Sequence, residues 1–211
     1  MTKLLCLGEL LIDMLPQDAH NSAYLPIPGG APANVAVGYA KLGGEAAFCG
    51  GKGDDHFANQ LSNALAQYNV NTDYLFTIAG SQTAMVIVSL DETGERSFGF
   101  YRHNTADVLL TQAHLAQINW QSISTLHFCS NTLTDPAIAN TTLKALELAK
   151  THNKLVSFDV NLRYSLWKNT HDIASNVQAC YHYCDIVKLS RDELNFLASS
   201  SALRVVLAIA G

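Results

Sequence analysis

Asp13 closes the apolar run Leu10-Leu11-Ile12. A carboxylate there can accept hydrogen bonds from vicinal hydroxyls, or it can be the solvated end of a strand. Gly29-Gly30-Ala31-Pro32-Ala33-Asn34 sets paired glycines before a helix start. Such a pair lets backbone N–H groups approach a small ligand closely, and Asn34 in the first turn adds both a donor and an acceptor. The other reading is a tight turn with a glycine entry. In Asp159-Val160-Asn161-Leu162-Arg163 the polar residues alternate, so Asp159, Asn161 and Arg163 face one way on a strand. The planar fork of Arg163 suits a phosphate or a carboxylate; it can equally pair internally with Asp159. Phe98-Gly99-Phe100-Tyr101-Arg102 is either an aromatic face that closes over a ligand or the packing face of a hairpin.

Other chemistries fit less well. Gly51-Lys52-Gly53 lacks the Ser/Thr that a P-loop places after its Lys, and Ala46 stands where the first Gly belongs. A dinucleotide loop would need Gly at position 56, which is His56. The five cysteines, Cys6, Cys49, Cys129, Cys180 and Cys184, form an odd, scattered set that reads as reduced thiols. Cys180 and Cys184, four apart on one helix face, have no second pair at ligand spacing, so buried structural thiols are expected rather than a metal site. With 13 basic against 18 acidic residues, the net charge of −5 argues against a nucleic-acid or membrane-surface partner. No apolar run approaches the ~18 residues of a membrane span. Met1–Gly8 lacks the pattern of a signal peptide, so a cytoplasmic location is expected.

The elements that must position these residues follow from periodicity. The 211 residues, 48% apolar and 15% charged, suit one large ordered domain. Lys3–Gly8 reads as a buried strand. A helix opens at Pro32 and ends at Gly43-Gly44. Ala46–Gly50 reads as a strand, and Asp54-Asp55 begin a helix with Phe57, Leu61, Leu65 and Tyr68 on one stripe. Thr83–Asp91 and Ser97–Arg102, separated by the turn Asp91-Glu92-Thr93-Gly94-Glu95, predict a β-hairpin with one wetted face. Strands at Thr125–Cys129, Leu155–Val160, Asp185–Leu189 and Leu203–Ile209 then alternate with helices from Asp135-Pro136, over His171–Tyr183 and over Asp192–Leu197. That alternation predicts an α/β fold with a mostly parallel sheet covered by helices. Ligands bind beyond the C-terminal strand ends of such sheets. The rule selects Gly8–Asp13, Ser130–Thr134, Asp159–Arg163 and Lys188–Glu193.

Together these residues carry a resemblance to the N-terminal two-thirds of a carbohydrate kinase of the ribokinase, or PfkB, family, over essentially all of residues 1–211. The family signature is a Gly-Gly-x-x-x-Asn-x-Ala run, a later Leu-Gly and a Gly-x-Gly-Asp. Here it is Gly29, Gly30, Asn34, Ala36, Leu42, Gly43, Gly51, Gly53 and Asp54. The chain is most similar to bacterial fructokinases through Phe98, Phe100, Tyr101 and Arg102, and through Asp159, Asn161, Arg163, Leu166 and Trp167. Kinases of 2-keto-3-deoxygluconate are the runner-up.

The resemblance implies a ribokinase-like three-layer sandwich with a small β-sheet lid built from about residues 11–28 and 83–104. It implies phosphoryl transfer from ATP, with Mg²⁺, to a primary hydroxyl of a sugar. Asp13, Gly29, Gly30 and Asn34 would hold the sugar, with Tyr101 and Arg102 of the lid nearby and Arg163 on the sugar or the transferring phosphate. Asn161, Lys188, Ser190 and Glu193 would serve the nucleotide side, and Glu193 would help organise Mg²⁺. A homodimer through the apolar face of the lid is expected. The family's Gly-Ala-Gly-Asp segment, which carries the catalytic base, is absent from residues 1–211. No catalytic residue is therefore assigned here, and the 211-residue chain alone is expected to be inactive. A sugar-binding pseudokinase and an unrelated nucleotide-binding α/β protein are the remaining alternatives.

Overall fold

The computed structural model describes residues 3–200. Its main sheet has six strands, all parallel: β1 (Lys3–Leu7), β4 (Glu45–Lys52), β5 (Asn71–Thr77), β8 (Thr125–Cys129), β9 (Leu155–Asp159) and β10 (Ile186–Lys188), in the order β10-β9-β8-β1-β4-β5. Strand alternation sends successive side chains to opposite faces. Leu5 and Leu7 of β1 join Ala47, Cys49, Phe128 and Phe158 on one face, whereas Cys6 joins Ala46 and Phe48 on the other. Helices cover both faces. α1 (Ala31–Lys41) and α2 (His56–Gln67) bury Ala33, Ala36, Leu61 and Leu65 against the second face. The short α3 (Gln112–Leu115), α4 (Pro136–Thr151), α5 (Asp172–Tyr181) and α6 (Arg191–Ser200) cover the first. Phe128 and Phe158 stack with centroids 4.3 Å apart at its centre. The result is the three-layer arrangement that strand and helix alternation predicts.

A second sheet has four strands, β2 (Leu11–Pro16), β3 (Tyr24–Gly29), β6 (Met85–Leu90) and β7 (Arg96–Tyr101), in the order β3-β2-β6-β7. The expected hairpin is β6–β7. Its turn is held by the Asp91 carboxylate, which accepts from Thr93 N at 2.8 Å and Glu95 N at 2.9 Å, with Gly94 at φ +82°. β2 pairs antiparallel with β3 and parallel with β6. Paired residues share a face, so Leu11, Asp13 and Leu15 lie with Leu25, Val86, Val88, Phe98 and Phe100. On the other face Ile12, Met14 and Met85 pack against α1 and α2.

Periodicity alone did not predict β2, β3 or β5. The helix expected over His171–Tyr183 is shorter, and Cys184 lies beyond it; its thiol donates to the Cys180 carbonyl at 3.2 Å. The strand expected at Leu203–Ile209 lies outside the described residues.

Candidate sugar site and nucleotide rim

β1 stands between β4 and β8, where the chain's direction of progress across the sheet reverses. Such a switch point opens a crevice at the C-terminal strand ends. Into it come Glu9 after β1, Asn131 after β8, and Asn161 and Arg163 after β9. Gly30 and Asn34 enter from the start of α1. The lid contributes Leu11, Asp13, Val86, Phe98 and Phe100. These residues and Ala31 line one cavity of about 190 Å³.

Gly30 is a special case of backbone demand. Its φ is +117°, and a Cβ would meet the Glu9 carbonyl oxygen at 2.3 Å. A side chain there is barred on both counts. Gly30 also cannot cap α1 by itself. The buried Glu9 carboxylate does so instead, accepting from Ala31 N at 3.0 Å. Its Oε1 also accepts from Asn131 Nδ2 at 2.9 Å, and the Cys129 thiol lies 3.5 Å from Oε2. Burial, then the Glu9 charge, hold that thiol well above its ordinary value, so it stays a donor.

Asp13 is half-buried, and its side chain makes no hydrogen bond among the described residues. Burial, and then the neighbouring Glu9 carboxylate, raise its carboxyl above its ordinary value. Gly29 lies beside the cavity rather than in its lining. Its role is steric: a Cβ on Gly29 would sit 2.2 Å from Asp13 Oδ2. Among the expected sugar-site residues Gly29 thus stands next to the cavity, where its lack of a side chain makes room for the Asp13 carboxylate.

Tyr101 and Arg102 also differ from expectation. They line a separate cavity of about 470 Å³ together with Thr83, His103 and Ser165, and Phe100 forms a wall common to both spaces. The buried Arg102 guanidinium is ion-paired to buried Asp107 and donates to Thr134 Oγ1 at 2.9 Å. Burial works against its charge, but Asp107 and Glu9 outweigh this and raise its pKa. Its charge is largely answered within the protein, although Nη2 keeps no partner.

On the rim formed beyond β9 and β10, Asp159 turns away from Arg163. It pairs with Lys188 at 3.0 Å, which replaces the alternative of an Asp159–Arg163 bridge. The cause is local: β9 ends at Asp159, and Asn161 takes φ +40°, so the strand alternation stops before residue 161. Asn161 and exposed Arg163 still reach the cavity. Ser190 and Glu193 form a reciprocal cap on α6. Glu193 Oε2 accepts from Ser190 N at 2.7 Å and Ser190 Oγ accepts from Glu193 N at 3.2 Å. The other oxygen of Glu193 accepts from Leu162 N at 2.7 Å. Burial opposes its ionisation, but these N–H groups of Ser190 and Leu162 hold its pKa below the usual carboxylate range.

Glu193 therefore braces the Asn161–Arg163 loop against α6. Among the described residues no group of three or more His, Cys, Asp or Glu could cage a metal. Among the described residues the donor set, with Glu193 occupied by N–H groups, does not by itself build a resident Mg²⁺ site. Sequence reasoning selected the segments holding Glu9 and Asn131 but singled out neither residue. The signal for Glu9 was a charge between two apolar runs, Leu4–Leu7 and Leu10–Ile12.

Comparison with known proteins identifies relatives of this chain. Fructokinase-1 of Oryza sativa is 40% identical over 195 residues, covering 90% of this chain and 60% of its own. A fructokinase with bound ATP from Xylella fastidiosa superposes with a TM-score of 0.89 at 41% identity, covering 94% of this chain and 61% of that one. A fructokinase from Vibrio cholerae in fructose-, ADP- and calcium-bound form gives 0.84 at 34% identity, covering 95% and 64%. The chain spans about three fifths of the length of the curated relatives it matches. The family model described as pfkB family carbohydrate kinase matches residues 1–211 in full, and this chain belongs to that family.

Proposed function

We propose that the protein transfers phosphate from ATP to a primary hydroxyl of fructose. The observation that carries this reading is convergence. A lid carboxylate (Asp13), a helix-start amide (Asn34), a glycine entry (Gly30) and a cation (Arg163) border one cavity, although they come from four distant parts of the chain. Asp13 and Asn34 would take the sugar hydroxyls. Arg163, with Asn161 and Lys188 on the same rim, would offset charge on the transferring phosphate, and Ser190 and Glu193 would keep that rim in place. The Phe98–Phe100 face would exclude water, the competing acceptor. Mg²⁺ would enter as MgATP. The similarity to fructokinases solved with ATP, and with fructose and ADP, supports this assignment.

The nearest alternative, 2-keto-3-deoxygluconate, brings a carboxylate. Arg102, one of two cations that could receive it, is already committed to Asp107, which favours a neutral sugar. A phosphorylation screen of the intact gene product across fructose, 2-keto-3-deoxygluconate, ribose and nucleosides tests the reading. Fructose should be turned over with the highest kcat/KM; preference for another acceptor, or sugar binding without turnover, would reject it. In the same assay residues 1–211 alone, which hold no Gly-Ala-Gly-Asp segment, should transfer nothing.

Two further features belong to this proposal. Leu15, Leu25 and Phe98 share the cavity-side face of the lid and are 37%, 46% and 55% exposed. A sheet with an uncovered apolar face is completed most simply by the same face of a second copy, which makes the active form a homodimer. The protein would act in the cytoplasm; no helix among the described residues is long and apolar enough to cross a membrane.

A further inference from the structure

We infer that Glu9 sets the hydrogen-bond polarity of the cavity floor by fixing which way the Asn131 amide faces. This deepens the fructose reading and rests on it for the identity of the ligand.

The argument begins with the backbone of Asn131, which is held independently of its side chain. Thr134 Oγ1 donates to the Asn131 carbonyl at 2.9 Å, and Ser130 N donates to Val160 O at 3.3 Å. What is left to decide is the orientation of the amide. A primary amide has one accepting end and one donating end of nearly equal size. A carboxylate can only accept. Glu9, 2.9 Å from Asn131 Nδ2, therefore claims the donating end. The Ala31 N–H and the Cys129 thiol also direct hydrogens at Glu9, so nothing on its other sides calls for the reverse arrangement.

The consequence falls on Asn131 Oδ1. This atom is buried and has no hydrogen-bond partner among the described residues. Asn131 lies in the lining of the cavity that holds Asp13 and Asn34. An unanswered buried acceptor beside a ligand space favours a ligand that brings a donor. With Glu9 and Asp13 also accepting, this part of the lining receives hydroxyl groups and disfavours a carboxylate, which would have to turn to Arg163 instead. Selection for the neutral sugar over an acidic one is thus built into a residue whose main contacts are with the protein.

A pair of Glu9 variants in the intact gene product tests this. Glu9→Leu removes the oxygen that Ala31 N and Asn131 Nδ2 share, and frees the Asn131 amide to turn its donating end to the cavity. KM for fructose should rise about tenfold, the value of one net hydrogen bond, with kcat far less affected. Asn131→Asp sets two carboxylates together and should weaken fructose by at least as much. Glu9→Gln keeps an oxygen facing both donors, with its amide nitrogen toward the Cys129 sulfur, and should hold KM to within about threefold of wild type. Unchanged KM in Glu9→Leu, or a Glu9→Gln as impaired as Glu9→Leu, overturns the inference.

A second readout does not need turnover. In the sugar-free protein the Asn131 side-chain amide should show a proton protected from solvent exchange, and Glu9→Leu should remove that protection. Rapid exchange of both protons in wild type overturns the inference even if the variants fold poorly. If wild type neither binds nor phosphorylates fructose while the protected amide is present, the substrate reading has failed and the inferred choice of ligand falls with it. If wild type uses fructose and Glu9→Leu leaves KM unchanged, the inference alone has failed.

Discussion

At Asp13 a half-buried carboxylate stands beside a fully buried one, and its raised pKa measures how poorly the fold solvates that charge. A carboxyl whose native pKa is raised stabilises the fold fully at pH below its unfolded value, ~3.9. That contribution is lost as the pH climbs through the raised native value. Asp13→Asn removes the loss. The variant should melt above wild type at pH 7 and level with it near pH 3, while losing fructose affinity. Thermal scans at the two pH values check the first part and calorimetric titration the second; a variant less stable than wild type at pH 7 would contradict it. Asp13, Asn34 and Arg163 were legible in the sequence because each is a polar group at the end of an apolar or glycine-rich run. Glu9 and Asn131 were not, because what defines them is a hydrogen bond across 122 residues of chain. Arg102 was placed near the sugar by the resemblance, and its buried ion pair with Asp107 has no signature that the sequence reading used.

Among the elements, α6 depends most on a single side chain. Glu193 closes the cap with Ser190 and also holds Leu162 N, so one carboxylate serves a helix start and a loop. Glu193→Ala should cost about 1–3 kcal/mol in urea unfolding, the range for a lost cap and an abandoned buried N–H. Because its native pKa is lowered, the stability it supplies is present at neutral pH and fades as pH falls through the native value. The difference between wild type and Glu193→Ala should therefore shrink in acid. A constant difference from neutral pH to pH 2 would refute the mechanism. The longer helices and the β6–β7 hairpin could be read from caps, stripes and turn residues, whereas the four-residue α3 could not. The first lid hairpin could not: Pro26 and Pro28 weaken any strand pattern in β3, which tolerates them because it is an edge strand. β5 opens on polar Asn71-Thr72-Asp73 and owes its existence to pairing with β4 along the sheet's other edge.

For the molecule as a whole, regular alternation specified the layers and the parallel sheet. The lid had to come from resemblance, because nothing local says that two hairpins separated by residues 30–84 pair with each other. In the proposed dimer their shared apolar face is the contact. Leu25→Glu places a charge on that face outside the cavity lining, and sedimentation at micromolar concentration should show the wild-type dimer giving way to monomer. A wild-type protein that sediments only as a monomer removes the basis for the assembly.

Asp13 rides on the small sheet, whereas Asn34 and Asn131 are rooted in the large one. A molecule that bonds to all three acts as a rivet between two plates that the chain itself joins through four short links, residues 8–10, Gly30, residues 78–84 and residues 102–105. If that molecule is the proposed sugar, the guest itself would supply part of the force that holds the small plate against the large one.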